Sequence, residues 1–196
     1  MRKIKINPKY EHLRNFIESI PDVFEEKGRE IYKSRNTIKV MNAPEDLSIN
    51  VKRYHIPHGL NQMIYSWGIR VPKGKRAYEY ARILKDKGIG TPEVIALIEE
   101  RGLLNMLGFT YLITIQCDYG HTMYETGDQN FTDHTSIAKA LAHFAANIHK
   151  HKVLHKDFTP GNVCLFNTSD DADDLHRVDL GGIRTHNNKT TKNTTQ

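Results

Sequence analysis

The sequence predicts an α+β protein: an antiparallel sheet with one main helix, followed by a shorter helical part. Three observations carry this. Short runs with a period of two cluster between Glu30 and Gln116. Runs with helical spacing interrupt and follow them, at 60–67, 75–87 and 132–151. A polar stretch at 155–162 then lies between apolar runs, and Val178-Asp179-Leu180-Gly181 follows after a polar turn. With 196 residues, 38% hydrophobic and 26% charged, the chain is one domain, or two small lobes sharing a cleft.

Residues 1–28 read as an N-terminal extension with a helical patch, Leu13, Phe16, Ile17 and Ile20, that Pro21 is expected to stop. Strands are expected at Glu30–Lys33 and Thr37–Met41 around a turn at Ser34-Arg35-Asn36. A third is expected at Ser48–His55, after the turn residues Ala43-Pro44-Glu45-Asp46. Leu60, Met63, Ile64 and Trp67 recur at i, i+3, i+4 and i+7 and mark an amphipathic helix begun after Pro57. A second helix, about Lys75–Lys87, ends at Gly88, a residue suited to the left-handed position that closes a helix. Strands at Glu93–Ile98 and Phe109–Gln116 are joined by a turn around Arg101-Gly102. Thr132 and Asp133 offer N-caps for a long helix with Ile137, Leu141, Phe144 and Ile148 on one face. From Gly182 the chain is polar and aperiodic, so 182–196 is expected to be a disordered tail.

Composition narrows the function classes. The net charge of +5 suits a polyanionic partner such as a nucleotide or anionic lipid. Aromatic residues are not interleaved with a basic stripe, which disfavours nucleic-acid binding. Cys117 and Cys164 both lie in apolar runs, as buried thiols of a reducing compartment do. Met1–Pro8 is basic but lacks the apolar core of a signal peptide, and no run approaches membrane-spanning length. A cytoplasmic protein is expected.

The chemistry concentrates in Val153-Leu154-His155-Lys156-Asp157-Phe158-Thr159-Pro160-Gly161-Asn162-Val163 and in Asp179. Phosphoryl transfer needs one carboxylate to take the acceptor hydroxyl's proton, and an amide plus a second carboxylate to hold magnesium. Asp157, Asn162 and Asp179 supply those groups in that order, and His155 is suited to ordering the loop. Magnesium is a hard cation that prefers such oxygen ligands. No zinc-type spacing of histidines with Cys117 or Cys164 is visible.

The element order and this motif resemble the N-lobe and early C-lobe of the protein-kinase-like fold. The resemblance implies an N-lobe and hinge over 29–120 and a partial C-lobe over 121–181 with the catalytic and metal-binding loops. It implies that Lys52, on the third strand, neutralises ATP phosphates, and that Glu79 in the following helix pairs with it. Taken alone, Lys52 is an ordinary strand lysine and Glu79 a solvated helix charge. Asn50 stands where the fold has a small alanine against adenine. Ser34-Arg35-Asn36 occupies the phosphate-covering turn without glycines, leaving Arg35 to make a side-chain contact. The backbone near Gln116–Asp118 would hold adenine, with Asp118-Tyr119-Gly120 as hinge.

More particular phrases point within the fold. Asn50-Val51-Lys52-Arg53-Tyr54-His55-Ile56-Pro57, the helix at 60–67, Lys75-Arg76-Ala77-Tyr78-Glu79-Tyr80-Ala81 and Gly88-Ile89-Gly90-Thr91-Pro92-Glu93 are similar to bacterial lipopolysaccharide core kinases. That resemblance implies ATP, magnesium, a Kdo or heptose hydroxyl as acceptor, and work on lipopolysaccharide core or a lipid A precursor at the inner face of the cytoplasmic membrane. Arg70, Lys73, Lys75 and Arg76 either meet anionic lipid or are simply solvated beside a helix packed on the N-lobe. Only 17 residues follow Asp179, so a C-terminally shortened lobe is expected, with part of the 132–151 apolar face exposed. Two other functions stay open: a catalytically dead kinase-like binding module, and a small-molecule phosphotransferase of the aminoglycoside or choline type. The sequence leaves the oligomeric state undetermined.

Overall fold

The structure, a computed structural model, describes residues 1–117, 121–122, 134–154, 158, 163–166 and 177–180, with only the backbone at 121–122, 164–166 and 177–180. Strands β1 (Arg2–Ile6), β2 (Arg29–Lys33), β3 (Asn36–Asn42), β4 (Ser48–Tyr54), β5 (Val94–Arg101) and β6 (Leu107–Ile115) form one antiparallel sheet in the order β1-β5-β6-β4-β3-β2. Helices α1 (Arg14–Val23), α2 (Leu60–Ser66) and α3 (Lys73–Asp86) belong to this part. A second sheet, β7-β8-β9, pairs His121–Thr122 with Val163–Phe166 and the latter with Arg177–Leu180, and α4 runs His134–Lys150.

Alternation along the strands gives the main sheet two faces. On β4, Ile49 and Val51 point into a core with Met41, Ala96, Ile98, Tyr111 and Ile113. Helix α1 closes that face with Leu13, Ile17, Ile20 and Phe24, all buried. The opposite face carries Leu97, Leu112 and Val94 under Tyr78 of α3.

The N-terminal segment is therefore part of the sheet. The alternation in Lys3-Ile4-Lys5-Ile6 is a strand signal: Ile4 and Ile6 pack on the core, and β1 pairs with β5, Ile4 opposite Ile98. Pro21 does not stop α1, which runs on to Val23. It removes one hydrogen bond near the helix end, a cost of about 3 kcal/mol. Burial of Ile17, Ile20 and Phe24, at about 1.5–3 kcal/mol each, outweighs it.

Lys39 fastens α1 to the sheet. Its buried ammonium donates to the carbonyls of Phe24 (2.7 Å), Glu25 (2.9 Å) and Lys27 (3.3 Å), just past the helix C-terminus, where a cation is favoured. Glu93 fastens the other side, accepting from Lys9 and Tyr10 (3.0 Å each) and from Lys85 of α3. Burial works against its charge, yet these hydrogen bonds hold the Glu93 carboxyl below the usual carboxylate range.

The expected exposure of the 132–151 apolar face is corrected by α4. Ile137, Ala140, Phe144 and Ile148 are buried against Ile89, Leu84 and Val163. Lys87 Nζ donates to His151 O at 2.7 Å, tying the ends of α3 and α4 together. Strands β2 to β6 lie within about three residues of the expected ones.

Two substitutions test the closure by α1. Ile20→Ala should lower the unfolding free energy by about 2–5 kcal/mol. Lys39→Met, which strips the donor from three carbonyls, should cost about 2–4 kcal/mol. Urea denaturation of each variant measures both losses.

Candidate active site

The face of β4 opposite the α1 core presents Asn50, Lys52 and Tyr54. Lys52 lies opposite Leu112 of β6 and Ile38 of β3, in the middle of the sheet. Its Nζ sits 5.2 Å from the centroid of the Tyr54 ring. Among the described residues no carboxylate lies within ion-pair distance of it. Burial lowers the Lys52 pKa, and repulsion from Lys73 at the start of α3 lowers it further. Burial also pushes the Tyr54 hydroxyl up to about 12, against the pull of Arg76.

Helix α3 approaches the sheet closely enough to impose this. A Cβ on Gly74 would lie 2.5 Å from Thr110 Cγ2, so only glycine lets the first turn rest there. Lys73 and Arg76 thereby reach the β4 side. Glu79 does not. Its Oε1 accepts from Lys5 Nζ of β1 at 2.5 Å. Strands β1 and β4 are three steps apart in the sheet, about 14 Å at ~4.8 Å per step. The expected Lys52–Glu79 pair is thus replaced by Lys5–Glu79, because α3 sends that turn towards the β1 edge. Sequence reading missed Lys73 as a neighbour of Lys52, and its i, i+3 spacing from Arg76 is the signal that places both on one helix face.

Asn50 is buried, and its Nδ2 donates to Gln116 Oε1 at 3.0 Å. Gln116 Nε2 in turn donates to Cys117 O at 3.1 Å, so the end of β6 is held by a chain of amides. Asn50 Oδ1 and Arg76 Nε are buried with no hydrogen-bond partner among the described residues. One offers an acceptor and the other a donor. Arg35 is exposed at the tip between β2 and β3, where Ser34 N donates to Asn36 O at 3.0 Å.

His155, Asp157, Asn162 and Asp118 lie outside the described residues. Their flanks are described. Val153 N donates to Ile148 O at 2.9 Å after α4, and Phe158 stacks on Phe144 at 6.5 Å with 14° between the rings. Val163, next in the chain after Asn162, is buried in the α4 core and pairs with Leu180. The β8–β9 register sets Asp179 opposite Cys164. Among the described residues no group of three or more potential metal ligands occurs.

Comparison with solved structures gives two informative likenesses. WaaP, in its complex with acyl carrier protein, is similar at a TM-score of 0.58 and 15% identity, over 94% of this chain and 73% of WaaP. The MAP kinase LmaMPK10 from Leishmania major is similar at a TM-score of 0.50 and 14% identity, over 89% of this chain and 51% of the kinase. The fold is protein-kinase-like. No family model matches the chain, and no curated protein sequence matches it. At these identities the likeness concerns the fold, and the main sheet with α3 takes the place of a kinase N-lobe.

A desolvated cation without a carboxylate partner destabilises the fold that buries it. Lys52→Met should therefore raise the melting temperature of the ligand-free protein by about 2–4 °C at pH 7, the shift worth about 1 kcal/mol for a chain of this size. Its folded pKa being depressed, the unfolded chain binds the extra proton between that value and the ordinary 10.5. The gap between wild type and Lys52→Met should accordingly narrow as the pH rises through that window, as paired thermal melts would report.

Proposed function

We propose that this protein is an ATP-dependent phosphotransferase that moves the γ-phosphate to a sugar hydroxyl. The observation that carries the proposal is Lys52. In a protein-kinase-like sheet, it is a largely buried ammonium with no carboxylate partner among the described residues. Phosphate oxygens are the anionic ligand that this position of the fold is built to receive. Kinase-like neighbours use ATP and a metal in general, which supports both as co-substrate and cofactor.

In this reading Lys52 and Arg35 contact phosphate, and the backbone at Gln116–Asp118 holds adenine. The orphaned Asn50 Oδ1 offers an acceptor on the same face as Lys52. Asp157 orients the acceptor hydroxyl and takes its proton, while His155 orders the loop. Asn162 and Asp179 supply oxygen ligands, and the magnesium they would hold neutralises charge on the transferring phosphate. The N-lobe phrases favour a Kdo or heptose hydroxyl of lipopolysaccharide core as acceptor, at the inner face of the cytoplasmic membrane. No helix among the described residues is long and apolar enough to cross a membrane.

Roles that differ should separate in mutants. Asp157→Asn should abolish transfer to the sugar, by at least about 10³-fold, with ATP affinity nearly unchanged. Asp179→Asn should instead weaken magnesium-dependent ATP binding about 10-fold or more. Glu79→Gln should leave ATP affinity unaltered, because its partner is Lys5. Calorimetric ATP titration with and without magnesium, together with a radiolabelled transfer assay, reads all three. The reverse pattern at Asp157 and Asp179 would refute the role assignment.

A further inference from the structure

One end of the main sheet carries a group of apolar side chains that the core does not use. Leu103 and Leu104 are 90% and 88% exposed, Trp67 62% and Ile69 74%. They come from two separate turns that one buried residue joins. Arg101 Nη1 donates to Ser66 O at the end of α2 (3.5 Å) and to Asn105 O in the 103–105 turn (3.3 Å). Glu99 holds the same guanidinium at 2.7 Å. Ser66 Oγ accepts from Leu107 N at 2.8 Å, and Gln62 Nε2 donates to Leu107 O at 2.8 Å, so α2 is bonded to the start of β6 as well as to Arg101. Leu104 is held at φ 52°, a left-handed conformation that leucine rarely adopts. The scaffold thus spends buried polar contacts on fixing turns whose leucines face solvent.

The carboxylates at this end are paired, Glu99 with Arg101 and Glu100 with Arg2, and the remaining charge on the α2–α3 side is positive. From Leu47 to Tyr78 the chain contains no Asp or Glu, and Arg70, Lys73 and Lys75 in that stretch are exposed. The amphipathic stripe of α2 is half-buried at Met63 and Ile64 and exposed at both ends, Leu60 and Trp67. Large apolar side chains followed along the chain by exposed cations match the two layers of an anionic bilayer surface, acyl boundary and headgroup phosphate. A second copy meeting this surface through the same patch would set these cations against each other.

We propose that this end of the sheet is a membrane-docking surface: Trp67, Ile69, Leu103 and Leu104 enter the interface of an anionic bilayer, and Arg70 and Lys75 meet lipid phosphates. The proposal extends the phosphotransferase reading to where the protein sits. Vesicle binding requires no nucleotide, so either can fail without the other.

Trp67 is the chain's single tryptophan and reports the event directly. The full chain is titrated with vesicles of phosphatidylcholine, with and without phosphatidylglycerol, and binding is followed by Trp67 emission and by co-sedimentation. A blue shift and sedimentation with the phosphatidylglycerol vesicles are expected, weakening as salt is raised. The double variant Leu103→Asp/Leu104→Asp should bind at least about tenfold more weakly, while its far-UV circular dichroism and cooperative unfolding match wild type. Absence of a shift, equal binding to both vesicle types, or undiminished binding by the double variant would overturn the proposal. So would a concentration-dependent blue shift without lipid, which would assign the surface to self-association.

Discussion

A strand that alternates apolar and polar residues requires a sheet with two unlike faces, and β4 imposes that requirement on everything around it. Ile49 and Val51 must be buried while Asn50, Lys52 and Tyr54 turn the other way. The apolar face is closed by a segment that arrives first in the chain: β1 extends the sheet, and α1 lies over Ile49, Val51 and Tyr111. Lys39 fixes this cover with a buried ammonium that would be costly to leave unpaired, and Glu93 adds partly exposed bonds from Lys9 and Tyr10. The opposite face is left for chemistry.

On that face the balance of charge is the notable property. A kinase-like arrangement is expected to neutralise the strand lysine with a helix glutamate, but α3 crosses so that Glu79 reaches Lys5 while Lys73 reaches towards Lys52. Two cations and no carboxylate face each other there, among the described residues. Burying Lys52 near Lys73 is electrostatically uphill, and the proposed nucleotide, with its several phosphate oxygens, would relieve both burial and repulsion. Binding and stability are coupled through one ammonium group.

Much of the sheet was legible because periodicity reports burial. The strands β2 to β6 and the helices α2 and α3 were all visible as alternation or as i, i+3, i+4 spacing. Pro21 misled, since a local penalty was read without the tertiary burial of Ile20 and Phe24 that exceeds it. The short β1 was passed over although Lys3-Ile4-Lys5-Ile6 alternates, because two apolar residues among basic ones show no burial until β5 lies beside them. Glu79 could not be placed, because helix spacing tells which residues share a face and not which strand that face crosses. Exposure of the α4 face was inferred from the composition of the tail, whereas its partners Leu84, Ile89 and Val163 come from elsewhere in the chain. The order Asp157, Asn162, Asp179 was the clearest chemical signal in the sequence, and the described backbone adds the β8–β9 pairing that sets Asp179 opposite Cys164.

The claim that Lys52 is a desolvated cation awaiting phosphate is tested most directly by its own titration. Lysine side-chain NMR on the selectively labelled protein, with Lys52→Met for assignment, follows the ε-ammonium against pH with and without ATP–magnesium. The account predicts a Lys52 pKa below the ordinary 10.5 in the free protein, rising when nucleotide binds. A Lys52 that titrates normally in the free protein, or one whose pKa ignores ATP–magnesium, would contradict it.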